Sequence, residues 1–421
     1  MPSITATRAF RLGVGIVALH VIDDNFVQPQ PGTSAGDHLV SGLVPLALLA
    51  VAAWAYPRLR GGRRGALALA AGMFGIVAGV EAVRYTIQVG PSGDDYTGLL
   101  SIPAGVALIG LGVATLWRTR SSDGGRARRY LRRSLLGTAG VVVALLVVAP
   151  LSGSYLYSHL GRAVVPAADL GADYERVTFT TSDGLELSGW YVPSRNRAAV
   201  IAFPGRNGPQ AQTRMLVRHG YGVLLFDRRG SGESEGDPHG FGWEGEKDIK
   251  AAIAFLKRRP DVDPERIGGL GLSVGGELML HAAAETDDLA AVVSEGAGSR
   301  SVGEVREMPG LGLPMQVVET MITAGNTLFS NSPPPPLMQD IIGRIAPRPV
   351  FIIWTPNGVD TEALNRVYYE AAGAPKTLWE IPESKHVGGL QARPREYERR
   401  VVGFFDDALD VSEAGLQLAR R

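Results

Sequence analysis

Apolar residues in this chain follow two different patterns, and the change between them comes near residue 160. Before it, Leu, Val, Ile, Ala and Gly run on for stretches of about twenty positions, the length needed to cross a hydrocarbon core. The runs at 9–27, 39–57, 65–84, 98–117 and 134–157 predict five membrane-spanning helices, rich in the Gly and Ala that such helices tolerate. The first holds Arg11, His20, Asp23 and Asp24, so its apolar centre is short, but no small-residue cleavage site follows to make it a leader peptide.

From Tyr174 onward the runs become short, β-branched and separated by Gly and Pro turns. Residues 174–181 and 185–193 alternate like an antiparallel hairpin across Ser182, Asp183 and Gly184. Runs at 198–203, 222–226, 267–272, 290–294, 350–354 and 377–381 suit buried parallel strands. Helical stretches at 209–219, 245–259, 274–285, 361–373 and 394–409 lie between them, which makes the region α/β with a doubly wound, mostly parallel sheet. The expected organisation is a helical membrane domain at 1–160, a linker at 161–173, an α/β domain at 174–410 and a tail at 411–421. An apolar insertion at 299–346, with a helix near 313–329 and the proline run 333–336, is expected to form a cap over the pocket.

Charge adds orientation. The 42 basic and 42 acidic residues cancel over the 421 positions, but residues 1–170 hold 15 Arg against 8 acids and the remainder 27 basic against 34 acidic. A generally basic nucleic-acid binder is excluded by that balance. Arg58, Arg60, Arg63 and Arg64 follow the second span, and Arg118, Arg120, Arg126, Arg128, Arg129, Arg132 and Arg133 follow the fourth. Positive loops stay cytoplasmic, so the fifth span runs outward and everything after about residue 158 is expected on the extracytoplasmic side of the cell membrane. With no Cys, disulfides, thiolate metal sites and a cysteine nucleophile are excluded.

Gly-x-Ser-x-Gly occurs twice. At Gly232–Gly236 the serine, Ser234, sits in a polar turn that runs on into more loop. At Gly271–Gly275, by contrast, a strand ends at Leu272 and a helix starts at Val274, the context a nucleophile elbow requires, with Gly271 and Gly275 allowing close chain passage around Ser273. A serine hydroxyl needs a base and an orienting acid. Of seven His, His386 lies in the loop after the last strand. Asp360, 26 residues before it, is the first choice for the acid, with Glu362 and Glu295 as alternatives. The N–H groups of Val274 and Arg206 are the expected oxyanion donors, because Pro204 has none. No cofactor or metal is expected, since Gly269-Leu-Gly271 has Val274 where a dinucleotide fingerprint needs its third Gly.

These pieces resemble the α/β-hydrolase superfamily, in its serine esterase, thioesterase and aminopeptidase-like branch. The similarity rests on Phe203-Pro-Gly205, on the turn from Phe226 through Asp227, Arg229, Gly230 and Gly232 to Ser234, on the elbow 271–276, on 349–354 and on Glu383-Ser-Lys-His386. Two departures stand out: Pro204 replaces the usual His, and 355–360 lacks the familiar Gly-x-x-Asp spacing. The resemblance implies a triad of Ser273, Asp360 and His386, and a structural role for Ser234. A membrane-anchored serine hydrolase of an acyl or lipid-like small molecule is therefore expected, with membrane lipids as its surroundings. Acyl transfer on the same triad, or a silent hydrolase fold serving as envelope receptor or scaffold, are the alternatives.

Overall fold

The computed structural model describes residues 4–90, 95–119, 125–159, 162 and 165–411. The expected tail beyond Val411, the acidic loop at Asp94 and the side chains of Asp95, Arg126, Arg129 and Asp360 lie outside the described residues. The chain forms two compact units. One comprises Met1–Ala163, Asp237–Gly240 and Gly312–Ser332, and the other comprises the rest.

The first unit is helical. Its elements are α1 (Ile4–Ile22), α2 (Leu39–Ala55), α3 (Gly61–Val89), α4 (Asp95–Arg118), α5 (Arg126–Val143) and α6 (Ala149–Ser158). Single π turns at Asp23–Val27 and Ala144–Val148 extend α1 and join α5 to α6, so five continuous apolar rods result: Ile4–Val27, Ala35–Arg58, Gly61–Ile87, Tyr96–Arg118 and Tyr130–Ser158. Each is long and apolar enough to cross a membrane. Their outward faces carry exposed Leu43, Val51, Val106, Leu135 and Leu145, which an aqueous surface would not favour. Inside, α3 and α4 touch backbone to backbone. A Cβ on Gly72 would fall 2.6 Å from the Gly105 carbonyl oxygen, one on Gly105 equally close to Gly72, and one on Gly79 2.5 Å from that of Gly98. Small residues that let helix backbones approach replace hydrophobic driving force where the solvent is itself apolar.

The second unit is built on an eight-stranded sheet: β1 (Glu175–Thr180), β2 (Glu186–Val192), β3 (Ala199–Phe203), β4 (Gly222–Phe226), β5 (Ile267–Leu272), β6 (Ala291–Glu295), β7 (Val350–Trp354) and β8 (Lys376–Glu380). The order is β1-β2-β4-β3-β5-β6-β7-β8, with β1 and β2 antiparallel and the other six parallel, as their unbroken apolar runs predicted. Helices α7 (Gln210–Arg218), α8 (Gly245–Leu256), α9 (Val274–Glu285), α10 (Val302–Glu307), α12 (Met338–Ile341) and α13 (Leu364–Ala371) lie between the strands, and α14 (Gly389–Ala392) and α15 (Pro394–Ala408) follow the last of them. Two apolar clusters cover the two faces. Ile201, Leu224, Ile249, Met279 and Ile352 belong to one, and Val200, Leu225, Val293, Phe351 and Phe405 to the other. Strand residues alternate between the clusters, so the period of two along each strand decides which helix layer a side chain meets.

Of the insertion expected at 299–346, only the flanks with α10 and α12 stay with this unit. Its long helix α11 (Leu313–Phe329) groups with the N-terminal helices.

Candidate active site

The carboxyl ends of parallel strands are where a doubly wound sheet holds its ligands, and the chemistry-bearing side chains gather there. Ser273 immediately follows β5 and stands at the start of α9 with φ +53° and ψ −127°, a left-handed backbone that a non-glycine residue adopts only under strain. Its N–H donates to the Glu295 carbonyl at 2.8 Å, and its own carbonyl accepts from Gly276 N at 2.8 Å, so the kink is held from both sides. The flanking glycines are required by contact. A Cβ on Gly271 would strike the Gly275 carbonyl, and one on Gly275 would fall 2.6 Å from the Phe203 carbonyl oxygen.

His386 follows β8, and its ring bridges two partners. Nε2 lies 2.9 Å from Ser273 Oγ, and Nδ1 lies 2.6 Å from Glu362 Oε1. These partners set the tautomer: Nδ1–H donates to the carboxylate, leaving the Nε2 lone pair to accept the serine proton. Glu362 is 1% exposed, and its oxygens also accept the N–H groups of Thr355 at 3.2 Å and Val359 at 3.4 Å. Gly358 makes room, since a Cβ there would collide with the Glu362 carboxylate. The result is a hydrogen-bonded chain from a buried carboxylate through an imidazole to a half-buried hydroxyl, an arrangement able to generate a nucleophilic oxygen.

Three expectations change. The carboxylate bonded to the ring is that of Glu362, the third residue of the turn at Asp360–Ala363, whereas the side chain of the first-choice acid, Asp360, lies outside the described residues. Glu295 is spoken for, with Oε1 accepting Gly389 N–H at 2.8 Å and Oε2 accepting the Tyr397 hydroxyl at 2.7 Å. Burial, aided by the neighbouring Glu362 charge, raises the Glu295 carboxyl above its ordinary range. The Arg206 N–H is not aimed at an oxyanion either. It donates to Asp227 Oδ1 at 3.0 Å, while the buried guanidinium pairs with Asp227 Oδ2 at 2.6 Å and Glu233 at 2.9 Å. Val274 keeps the place expected of it, as the first residue of α9, where helix N–H groups lack intrahelical partners.

The other serine motif is structural. Ser234 is fully buried, donates to the Asp227 carbonyl at 2.6 Å and accepts Ser188 N–H at 2.9 Å. His281, on α9, is buried against Glu285 with its imidazole pushed down to about 4, chiefly by burial. Among the described residues no set of three or more His, Asp or Glu is arranged to hold a metal ion.

Glu277 carries a role the residue pattern did not signal. One turn past Ser273, it is buried, and Oε1 accepts Gly298 N–H at 2.6 Å. The same loop offers the Gly298 carbonyl to the Tyr368 hydroxyl at 2.7 Å and the Ala297 carbonyl to Asn365 at 2.6 Å, both on α13, which directly follows the Glu362 turn. Glu277 thereby ties the serine helix to the carboxylate loop. The available signal was an acid inside the otherwise apolar run 274–280.

The family described as X-Pro dipeptidyl-peptidase (S15 family) matches residues 168–342, a span that includes Ser273 and stops short of Glu362 and His386. The protein is 29% identical over 264 residues to the uncharacterized protein YfhR of Salmonella typhi, covering 57% of this chain and 84% of that one. It is 35% identical to the polyketide transferase grgF of Penicillium sp over 28% of this chain and 43% of that protein. Among solved structures, a Pyrococcus furiosus esterase, Pf2001, superposes with a TM-score of 0.49 at 23% identity, covering 60% of this chain and 97% of that one. Strand order, the strained serine elbow after β5 and the match at 168–342 agree on an α/β-hydrolase fold for the second unit, preceded by an N-terminal region of five helices apolar enough to span a membrane.

Proposed function

We propose that the protein is a membrane-anchored serine hydrolase that cleaves an ester, thioester or small amide through an acyl-enzyme on Ser273. The observation that carries this reading is the Glu362–His386–Ser273 hydrogen-bonded chain, at 2.6 Å and 2.9 Å. Ser273 Oγ attacks the acyl carbon as His386 Nε2 takes its proton, and Glu362 holds the resulting imidazolium. The leaving group departs with that proton, and water, deprotonated by the same ring, attacks the acyl-serine and releases the acid. Val274 N–H is the proposed donor to the developing oxyanion. In this reading the hydrolase domain lies outside the cell membrane, on the support of the arginine-rich alternate loops.

The test is a fluorophosphonate probe applied to membranes containing the protein. Labelling that disappears in Ser273→Ala is expected; a correctly folded wild type that takes no label would overturn the reading in favour of a silent scaffold. Similarity to a protein named a polyketide transferase favours a second possibility, acyl transfer from the same serine to an alcohol in place of water. Partitioning of the acyl group between water and an added alcohol separates the two.

A further inference from the structure

We propose that α11, inserted in sequence between β6 and β7, is a bilayer-embedded helix whose exposed Leu313, Met315 and Leu328 contact the acyl chains of membrane lipids. The inference rests on the reading of the N-terminal helices as membrane spans.

Four observations support it. First, α11 packs along α6 and the π turn Ala144–Val148, both part of the apolar rod Tyr130–Ser158, and against α2. An element packed against the interior of a span lies at hydrocarbon depth. Second, the contact has the character of a membrane helix pair. A Cβ on Gly325 would strike Ser154, and the Ser154 hydroxyl donates to the Ile322 carbonyl at 2.8 Å. Third, two buried polar side chains of α11 donate to its own backbone: Thr323 Oγ1 to the Glu319 carbonyl at 2.7 Å and Asn326 Nδ2 to the Ile322 carbonyl at 2.8 Å. Such internal pairing is what a medium without water demands. Fourth, the exposed side of α11 is continuous in character with the spans beside it, which leave Leu43, Leu48, Val51 and Leu145 uncovered.

Length decides how it sits. Seventeen residues rise about 26 Å, short of a full crossing, and the sequence on both sides of the segment returns to the α/β unit. The far end of the helix is fastened by Asn331, whose Oδ1 accepts the N–H groups of Val40 and Ser41 at 3.1 Å and 3.2 Å, at the start of α2. The occupant that fits its uncovered apolar side is lipid hydrocarbon, since Glu319 is the single ionisable residue in the helix.

The chain has no Cys, so each introduced thiol is a unique probe. Met315→Cys and Leu328→Cys would be labelled with an environment-sensitive fluorophore and reconstituted into phosphatidylcholine–phosphatidylglycerol vesicles with or without lipids carrying a spin-label quencher on the acyl chain. Leu43→Cys and Val106→Cys serve as span controls, and Glu186→Cys, exposed on β2, as the aqueous control. Quenching of both α11 probes within ~2-fold of the span controls is the expected result. Quenching of the span controls with α11 probes that behave like Glu186→Cys would overturn the inference and leave the membrane reading standing. Unquenched span controls would remove the membrane reading, and the inference with it.

Discussion

Asp360 and Glu362 are two positions apart on one turn, and Glu362 is bonded to His386 at 2.6 Å. Glu362→Gln is accordingly expected to reduce turnover by roughly 10³–10⁴-fold, because an amide at this place no longer fixes the tautomer or stabilises the imidazolium. Asp360→Asn should stay within a few-fold; steady-state kinetics on an activated ester compare them, and equal losses would return the role to Asp360. Glu277 gives a pH-dependent expectation. Burial, reinforced by Glu304 and opposed by Arg300 and Arg228, pushes its carboxyl up to about 8 from an ordinary 4.5. Between those values the folded chain holds a proton that the unfolded chain releases, so this group's contribution to stability falls as pH rises from about 4.5 to about 8. The Tm of Glu277→Gln relative to wild type should therefore rise between pH 5 and pH 8.5, by an amount corresponding to ~1–3 kcal/mol, in melts of the detergent-solubilised protein. A difference that does not change with pH would contradict a buried titrating carboxyl at this position.

Helices α3 and α4 owe their close approach to glycines at 65, 72 and 79 on one and 98, 105 and 112 on the other, each set spaced by seven. Along the sequence these glycines register only as a high density of small residues; the heptad spacing acquires meaning only when the two helices are known to be partners. Gly105→Leu is expected to destabilise the helical unit by at least ~1–3 kcal/mol, since its Cβ would meet the Gly72 carbonyl oxygen at 2.6 Å. Gly110→Leu, on the same helix with no atom within 4 Å of an added Cβ, is the control and should be near neutral. Equal thermal shifts in the two variants would show that helix propensity, not packing, sets the cost.

At the scale of the whole molecule, the arginine-rich loops lead to a prediction of sidedness. Glu186→Cys should react with a membrane-impermeant maleimide on intact cells, and Arg128→Cys only after rupture; the reverse pattern would invert the topology. Much of this architecture was legible in the residues alone. Five helices apolar enough to span a membrane, eight strands, the Ser273 elbow and the position of His386 follow from local pattern, because solvent imposes a run length of about twenty in lipid and a period of two on a sheet. Choices among partners were not legible in the same way. Whether Glu362 or Asp360 meets the ring, whether Asp227 claims the Arg206 amide 21 residues away, and whether α11 covers a pocket or joins the apolar helices depend on where distant segments arrive in space. A local run of residues encodes its environment and repeat, whereas a hydrogen bond is decided by tenths of an ångström between groups far apart in the chain, and those distances exist only once the chain has folded.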